Sequence, residues 1–132
     1  MGGSVRHFGK PNPRHFYACL ENLGFALDED ADAKSIRKVA HVGDSLEQDV
    51  AGANHAGIDS VFVLGGIHAN ELGLTPTGCG ERDGFVILED DNDSDVPDGT
   101  SGISKNELIV KLQSMFDEKG IWPTHVVPSL SL

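Results

Sequence analysis

The chain has 132 residues, with 10 lysines and arginines against 21 aspartates and glutamates, so its formal net charge is −11. With 39% hydrophobic and 23% charged residues, its composition is that of one globular domain with a core, which excludes a disordered tail. The acidic balance and the lack of a basic run argue against nucleic acid as a partner.

The sequence also argues against a disulfide framework, a zinc site and a membrane anchor. Cys19 and Cys79 lie far apart, and neither belongs to a Cys-x-x-Cys or Cys/His spacing. No apolar run reaches membrane-spanning length, and the first residues lack the apolar centre of a signal peptide. We therefore expect a soluble, cytoplasmic protein without a membrane partner.

A helix, a strand, a second helix and a second strand are predicted over the first half of the chain. Asn12 can cap the first helix and Gly24 can end it. Its apolar face consists of Phe16, Leu20 and Leu23. The apolar run 38–43 predicts a short buried strand, residues 46–56 predict a helix, and the β-branched run 60–64 predicts another strand.

The second half of the chain begins with an acidic segment and ends with a helix and a strand. Residues 73–102 are rich in glycine, proline and aspartate, and we expect a flexible excursion there. The capping box at Ser104 and Glu107 predicts a helix that ends at Gly120. Its predicted apolar face is Leu108, Ile109, Leu112, Met115 and Phe116. Residues 124–127, between two prolines, predict a last short strand.

Strands that alternate with helices predict an α/β fold, in which a short parallel sheet is flanked by helices. Three strands make a thin sheet, because a parallel sheet needs helices on both faces and has two edges to cover. We therefore expect part of a larger sheet, with an exposed edge that would allow self-association.

Three charged residues are candidates for binding a ligand in such a sheet. Asp44 follows the first predicted strand at its carboxyl end, and Asp49 lies in the first turn of the next helix. Paired carboxylates suit Mg²⁺, which keeps several waters and takes few protein carboxylates. Lys10, just before the first helix, can supply positive charge to a phosphoryl group. Gly43-Asp44 alone is more often a turn that caps a helix, so the hypothesis depends on the combination.

These segments resemble the haloacid dehalogenase-like (HAD-like) hydrolases, and among them the subfamily IIA branch of NagD-like and nitrophenylphosphatase-like phosphatases. Residues 9–13, Gly-Lys-Pro-Asn-Pro, resemble the third motif of that branch, with Lys10 at the lysine position. Residues 43–49, Gly-Asp-Ser-Leu-Glu-Gln-Asp, resemble its fourth motif. The resemblance covers residues 1 to about 72 and the last helix and strand.

The resemblance implies a Rossmann-like core and a Mg²⁺-dependent phosphatase that acts on a small phosphorylated metabolite. Asp44 would ligate Mg²⁺, and Asp49 would support the waters of the metal and Lys10. Lys10 would orient the nucleophile and neutralise charge on the phosphoryl group. Ser45 would add a hydrogen bond near the metal, beside Gly43.

Two further motifs of the family do not precede Lys10 in the sequence. They are an Asp-x-Asp segment, whose first Asp is the nucleophile, and a Ser or Thr that holds the phosphate. The resemblance therefore implies that residues 1–132 are the carboxyl-terminal part of a HAD-like core, without its cap and with no nucleophile of its own. We expect the chain to be inactive alone and to be completed by an amino-terminal half. The alternative is a non-catalytic relative that binds a partner through its acidic loop or exposed sheet edge.

The acidic segment allows two other interpretations, and its sequence favours neither. Asp91 and Asp93 follow an apolar run, as in a permuted nucleophile motif, but the lysine and Gly-Asp motifs keep their usual order. The same residues open like an EF-hand loop, yet Val96 stands where Gly is needed and Gly102 where Glu is needed. A solvated loop that binds cations loosely is the better interpretation.

Overall fold

The computed structural model describes residues 2–5, 9–25, 39–74, 87–88 and 103–130. The acidic run of the predicted excursion, with its Asp-x-Asp segments, lies outside these residues. Within the described ranges, no helix has both the length and the apolar character needed to cross a bilayer.

A three-stranded parallel sheet forms the centre of the described structure. Its strands, in spatial order, are β1 (Ala40–Gly43), β2 (Asp59–Val63) and β5 (His125–Val127). The register places Val61 of β2 between Val42 of β1 and His125 of β5. A second parallel pair joins β3 (Ile87–Leu88) to β4 (Ile103–Ser104). The predicted α/β class with a short parallel sheet and flanking helices is confirmed.

Local capping residues mark the start of two of the three described helices and the end of one of these two. They are α1 (Pro13–Asn22), α2 (Ala51–Ala56) and α3 (Lys105–Lys119). The side chain of Asn12 accepts a hydrogen bond of 3.0 Å from the backbone N–H of Arg14 and caps α1. The Ser104 hydroxyl caps α3 in the same way, at 3.2 Å from the N–H of Glu107. Gly120 ends α3 with a φ of 63°, a left-handed conformation that glycine adopts without strain.

The helix predicted over residues 46–56 begins differently from the prediction. Leu46–Val50 form a π-helical turn, in which the N–H of Val50 donates to the C=O of Ser45 at 3.1 Å, and α2 follows directly. A π turn closes its hydrogen bonds over five residues rather than four, so it changes which side chains point inward. Both Leu46 and Asp49 are buried as a result.

Two hydrophobic clusters hold the helices against the sheet. The larger joins β2, the π turn and α3, and the rings of Phe62 and Phe116 meet edge to face within it, 6.0 Å between centroids. Leu74, at the start of the predicted excursion, belongs to this cluster. The smaller cluster packs α1 on α2, where the ring of Phe16 lies over Gly52. A Cβ at Gly52 would overlap that ring, so the two helices approach closely.

Two residues predicted on buried helix faces are exposed. Leu23 is 67% exposed, because α1 ends before it and Leu23 is only the capping residue. Ile109 is 42% exposed, because one stripe of α3 meets the core and Leu108 and Leu112 already occupy it. On the sheet, β1 lies at one end of the strand order, and Val42 within it is 41% exposed.

We expect Leu108→Ala to lower the free energy of unfolding by about 2–5 kcal/mol, because it leaves a cavity under α3 where Leu108 is 3% exposed. Val110→Ala on the same helix is the matched control, since Val110 is 64% exposed and its change should stay within about 0.5 kcal/mol. Urea denaturation followed by circular dichroism measures both. Equal losses in the two variants would contradict the packing of α3 described here.

Candidate functional site

A cavity of about 340 Å³ opens at the carboxyl ends of the parallel strands. It is lined by Gly43, Asp44, Val63, Gly65, Gly66, Ser129 and Leu130. These residues come from the ends of β1 and β2, the loops that follow them, and the segment after β5. Ligands of open parallel sheets bind at this end of the strands. The cavity is therefore where the sequence predicted a site.

Asp44 is held against the loop that follows β2. The backbone N–H of Ile67 donates a hydrogen bond of 3.1 Å to Asp44 Oδ2. A Cβ at Gly66 would overlap the Asp44 side chain, so this position needs glycine. Gly66 and Ile67 thus fix the Asp44 carboxylate at the cavity wall. The sequence analysis assigned neither of them to the site, although the Gly-Gly pair directly after a strand was a usable signal.

Asp49 is a buried carboxylate held by three donors. Its side chain is 5% exposed. Lys10 Nζ and His41 Nε2 both contact Asp49 Oδ1, the histidine at 2.9 Å. The backbone N–H of Ser45 donates to Asp49 Oδ2 at 3.2 Å. A Cβ at Gly43 would overlap the Asp49 side chain, so Gly43 makes the room that the carboxylate needs.

The charge state of Asp49 follows from these contacts. Burial raises the pKa of Asp49, whereas the hydrogen bonds from Lys10, His41 and the Ser45 amide lower it. The donors prevail, and the pKa lies below its usual value. Asp49 is therefore ionised at neutral pH, and Lys10 faces a fixed negative charge.

The π turn places Asp49 beneath the end of β1. The hydroxyl of Ser45 caps the turn and accepts a hydrogen bond of 3.3 Å from the N–H of Gln48. The C=O of Ser45 accepts from the N–H groups of both Asp49 and Val50, at 2.9 and 3.1 Å. These bonds fold the chain back after β1, so the Asp49 side chain points toward Gly43 and Lys10.

The site residues predicted from the sequence all lie near the end of β1. Lys10 and Asp49 are in direct contact, and Gly43, Asp44 and Ser45 follow one another beside them. The two carboxylates have different partners, since Asp44 meets the loop after β2 while Asp49 meets Lys10. Across the described residues, no three His, Cys, Asp or Glu side chains converge on one point where a metal ion could bind.

His41 also contacts the site, although it is not among the site residues predicted from the sequence. Side chains two positions apart on a strand share a face. His41 and Gly43 are therefore on the same face of β1, the face that Asp49 meets. That alternation was the signal available in the sequence.

The sequence also matches a known protein family. The model of the family described as HAD-hydrolase-like matches residues 7–82, which is more than half of the chain. The chain belongs to the HAD-like hydrolases. The matched residues include Lys10, Asp44 and Asp49. A comparison with curated proteins gives no match.

The chain is similar to one solved structure, that of a possible sugar phosphatase of the HAD superfamily from Cytophaga hutchinsonii. The two sequences are 20% identical, and the TM-score is 0.49. The alignment covers 99% of this chain and 31% of the other one. This HAD-like chain thus spans about a third of the length of that protein.

We expect Asp49 to make the stability of the fold depend on pH. Its pKa is lower in the folded protein, so its ionisation stabilises the fold above the unfolded-chain value of about 3.9. This contribution is lost as the pH falls through the lower folded-state pKa. Urea denaturation between about pH 2.5 and 6 should therefore show a shallower acid loss of stability in Asp49→Asn than in the wild type. Parallel curves for the two proteins would contradict the described environment of Asp49.

Proposed function

We propose that this HAD-like chain carries the lysine and metal-binding part of a Mg²⁺-dependent phosphate-monoester hydrolase. The observation that carries the proposal is the Lys10–Asp49 contact beside a cavity lined by Asp44. This contact holds the positively charged ammonium group of Lys10 beside a carboxylate at one end of the sheet. A positively charged side chain suits a phosphoryl group, and a carboxylate suits the hard cation that binds with it.

The two carboxylates fit Mg²⁺ in different ways. Mg²⁺ takes one or two carboxylates and keeps several waters, so two suitable side chains suffice from this chain. Asp44, oriented at the cavity wall by Ile67, fits as a direct ligand. Both oxygens of Asp49 already accept hydrogen bonds, so we assign Asp49 to the waters of the metal and to Lys10. Bound Mg²⁺ would offset the negative charge on a phosphoryl oxygen.

Lys10 acts on the phosphoryl group as a positive point charge. Its ammonium group has three donors, so it can keep its bond to Asp49 and still donate to phosphoryl oxygens. Ser45 and Gly43 support the position of the Asp49 carboxylate. Ser45 caps the π turn that carries Asp49, and Gly43 leaves space for the carboxylate.

We also propose that the 132-residue chain does not hydrolyse phosphate monoesters by itself. Covalent catalysis needs a nucleophile that forms a bond to phosphorus, and Lys10, Asp44 and Mg²⁺ only stabilise charge. Asp44 is the single carboxylate among the described residues that line the cavity. The nucleophile would come from an amino-terminal half of the core. The motifs at residues 9–13 and 43–49 support a NagD-like relationship and a small phosphorylated metabolite as substrate.

We expect inorganic phosphate to bind the chain more tightly with Mg²⁺ than without it. Lys10→Met should weaken this binding at least about tenfold, because it removes a charged donor to the anion. Asp44→Asn should remove the dependence on Mg²⁺. Isothermal titration calorimetry measures both affinities. Asp59→Asn is the matched control, since Asp59 lies at the opposite, amino end of β2.

Two results would contradict the proposed site. One is phosphate binding by the wild type that is the same with and without Mg²⁺. The other is an Asp44→Asn variant that binds as the wild type does. A chain that binds no phosphate would favour the non-catalytic binding module instead.

We expect no turnover of p-nitrophenyl phosphate by the purified chain with Mg²⁺ above the level of its Asp44→Ala variant. The reason is the missing bond-forming group, since charge stabilisation alone leaves no covalent intermediate. A colorimetric assay of p-nitrophenol release measures the rate. Robust hydrolysis that Asp44→Ala abolishes would show that this chain contains its own nucleophile.

A further inference from the structure

We propose that His41 is a positioning residue of this site, which holds Lys10 in place through Asp49. Its role toward phosphate rests on the function proposed above, whereas its contacts are independent of that function. His41 is the second residue of β1, and its ring reaches the buried carboxylate of the π turn.

Two donors share one oxygen of Asp49. Lys10 Nζ and His41 Nε2 both reach Oδ1, while the N–H of Ser45 occupies Oδ2. A carboxylate held at both oxygens cannot rotate away from its partners. Without the donor from His41, Oδ1 would be held by Lys10 alone. Apart from Lys10 itself, His41 is the donor among the described residues that fixes Oδ1.

The contact with Asp49 determines the tautomer of His41. An ionised carboxylate accepts hydrogen bonds and donates none, so the nitrogen that meets Asp49 must carry a hydrogen. His41 Nε2 is that nitrogen, at 2.9 Å from Oδ1. The contact therefore assigns the Nε2–H tautomer to the neutral ring.

The ring of His41 is itself held in place by a neighbouring ring. Phe16 of α1 meets it edge to face, with centroids 4.9 Å apart and an interplanar angle of 81°. Phe16 is buried and lies over Gly52, where a Cβ would overlap its ring. Lys10 lies just before the same helix. The segment from Lys10 to Phe16 thus contacts the His41–Asp49 pair at both ends.

Two variants separate hydrogen bonding from space filling. His41→Leu places an apolar side chain of similar size against Phe16 and removes the N–H donor. His41→Gln keeps an N–H donor that can reach Asp49. His55→Leu is the control, because His55 is an exposed histidine of α2. If His41 only filled space, the His41→Leu and His41→Gln variants would not differ in the direction that we expect.

The first experiment needs no ligand. Long-range ¹H–¹⁵N correlation spectra of the wild type at about pH 8, where an ordinary histidine is neutral, report the tautomer of each ring. We expect His41 in the Nε2–H form, and we expect Asp49→Asn to change its ring signals while those of His55 stay constant. A His41 ring in the Nδ1–H form would overturn the inference.

The second experiment uses inorganic phosphate with Mg²⁺ as the probe. We expect His41→Leu to weaken binding about tenfold, the loss expected for one hydrogen bond to a charged group. His41→Gln should stay within about threefold of the wild type, and His55→Leu should bind as the wild type does. Urea denaturation of each variant verifies that it is folded. A folded His41→Leu variant with wild-type affinity would overturn the inference.

A third measurement separates this inference from the proposed function. Labelling of Lys10 by trinitrobenzenesulfonate, followed by mass spectrometry, reports how firmly its amine is held. We expect Lys10 to be labelled several-fold faster in His41→Leu than in the wild type or His55→Leu. A wild type that binds no phosphate but shows this acceleration would refute the phosphate site and keep the role of His41. Equal labelling rates would refute that role whether or not phosphate binds.

Discussion

The buried carboxylate of Asp49 is the constraint on which the rest of the site depends. Taking an ion out of water costs several kcal/mol unless donors replace the water, and the Asp49 side chain is 5% exposed. Lys10, His41 and the Ser45 N–H supply those donors. They belong to the segment before α1, to β1 and to the turn after β1, so one ionised group brings three parts of the chain together.

Small residues make this arrangement possible. Both carboxylates press against backbone, Asp49 at Gly43 and Asp44 at Gly66, and a Cβ at either glycine would overlap them. The charges can therefore lie close to the ends of neighbouring strands, where the cavity opens. In a HAD-like chain this end of the sheet is where we propose that Mg²⁺ and a phosphoryl group meet. β1 lies at one end of the strand order of this sheet, and its residue Val42 is partly exposed.

In the proposed chemistry, this chain supplies charge and an amino-terminal half would supply the nucleophile. Lys10 and Asp44 provide charge of opposite sign, which suits an anion and a hard cation. A phosphate ester is hydrolysed through a covalent intermediate only if a nucleophile stands in line with them. Binding and turnover are therefore separate properties of this chain. Phosphate affinity reports the first, and release of p-nitrophenol reports the second.

Much of the fold could be predicted from the sequence, because caps act locally: Asn12, Ser104 and Gly120 each interact within one helical turn. The order of Lys10, Asp44 and Asp49 likewise indicated a site, and in the structure Lys10 contacts Asp49. The contacts that organise the site join residues far apart in the sequence. Lys10 and Asp49 are 39 positions apart, and Asp44 and Ile67 are 23 positions apart. Only the tertiary structure decided these contacts, the π turn and the placement of His41. The reason is that a buried charge selects its partners by distance in space, which spacing along the chain does not specify.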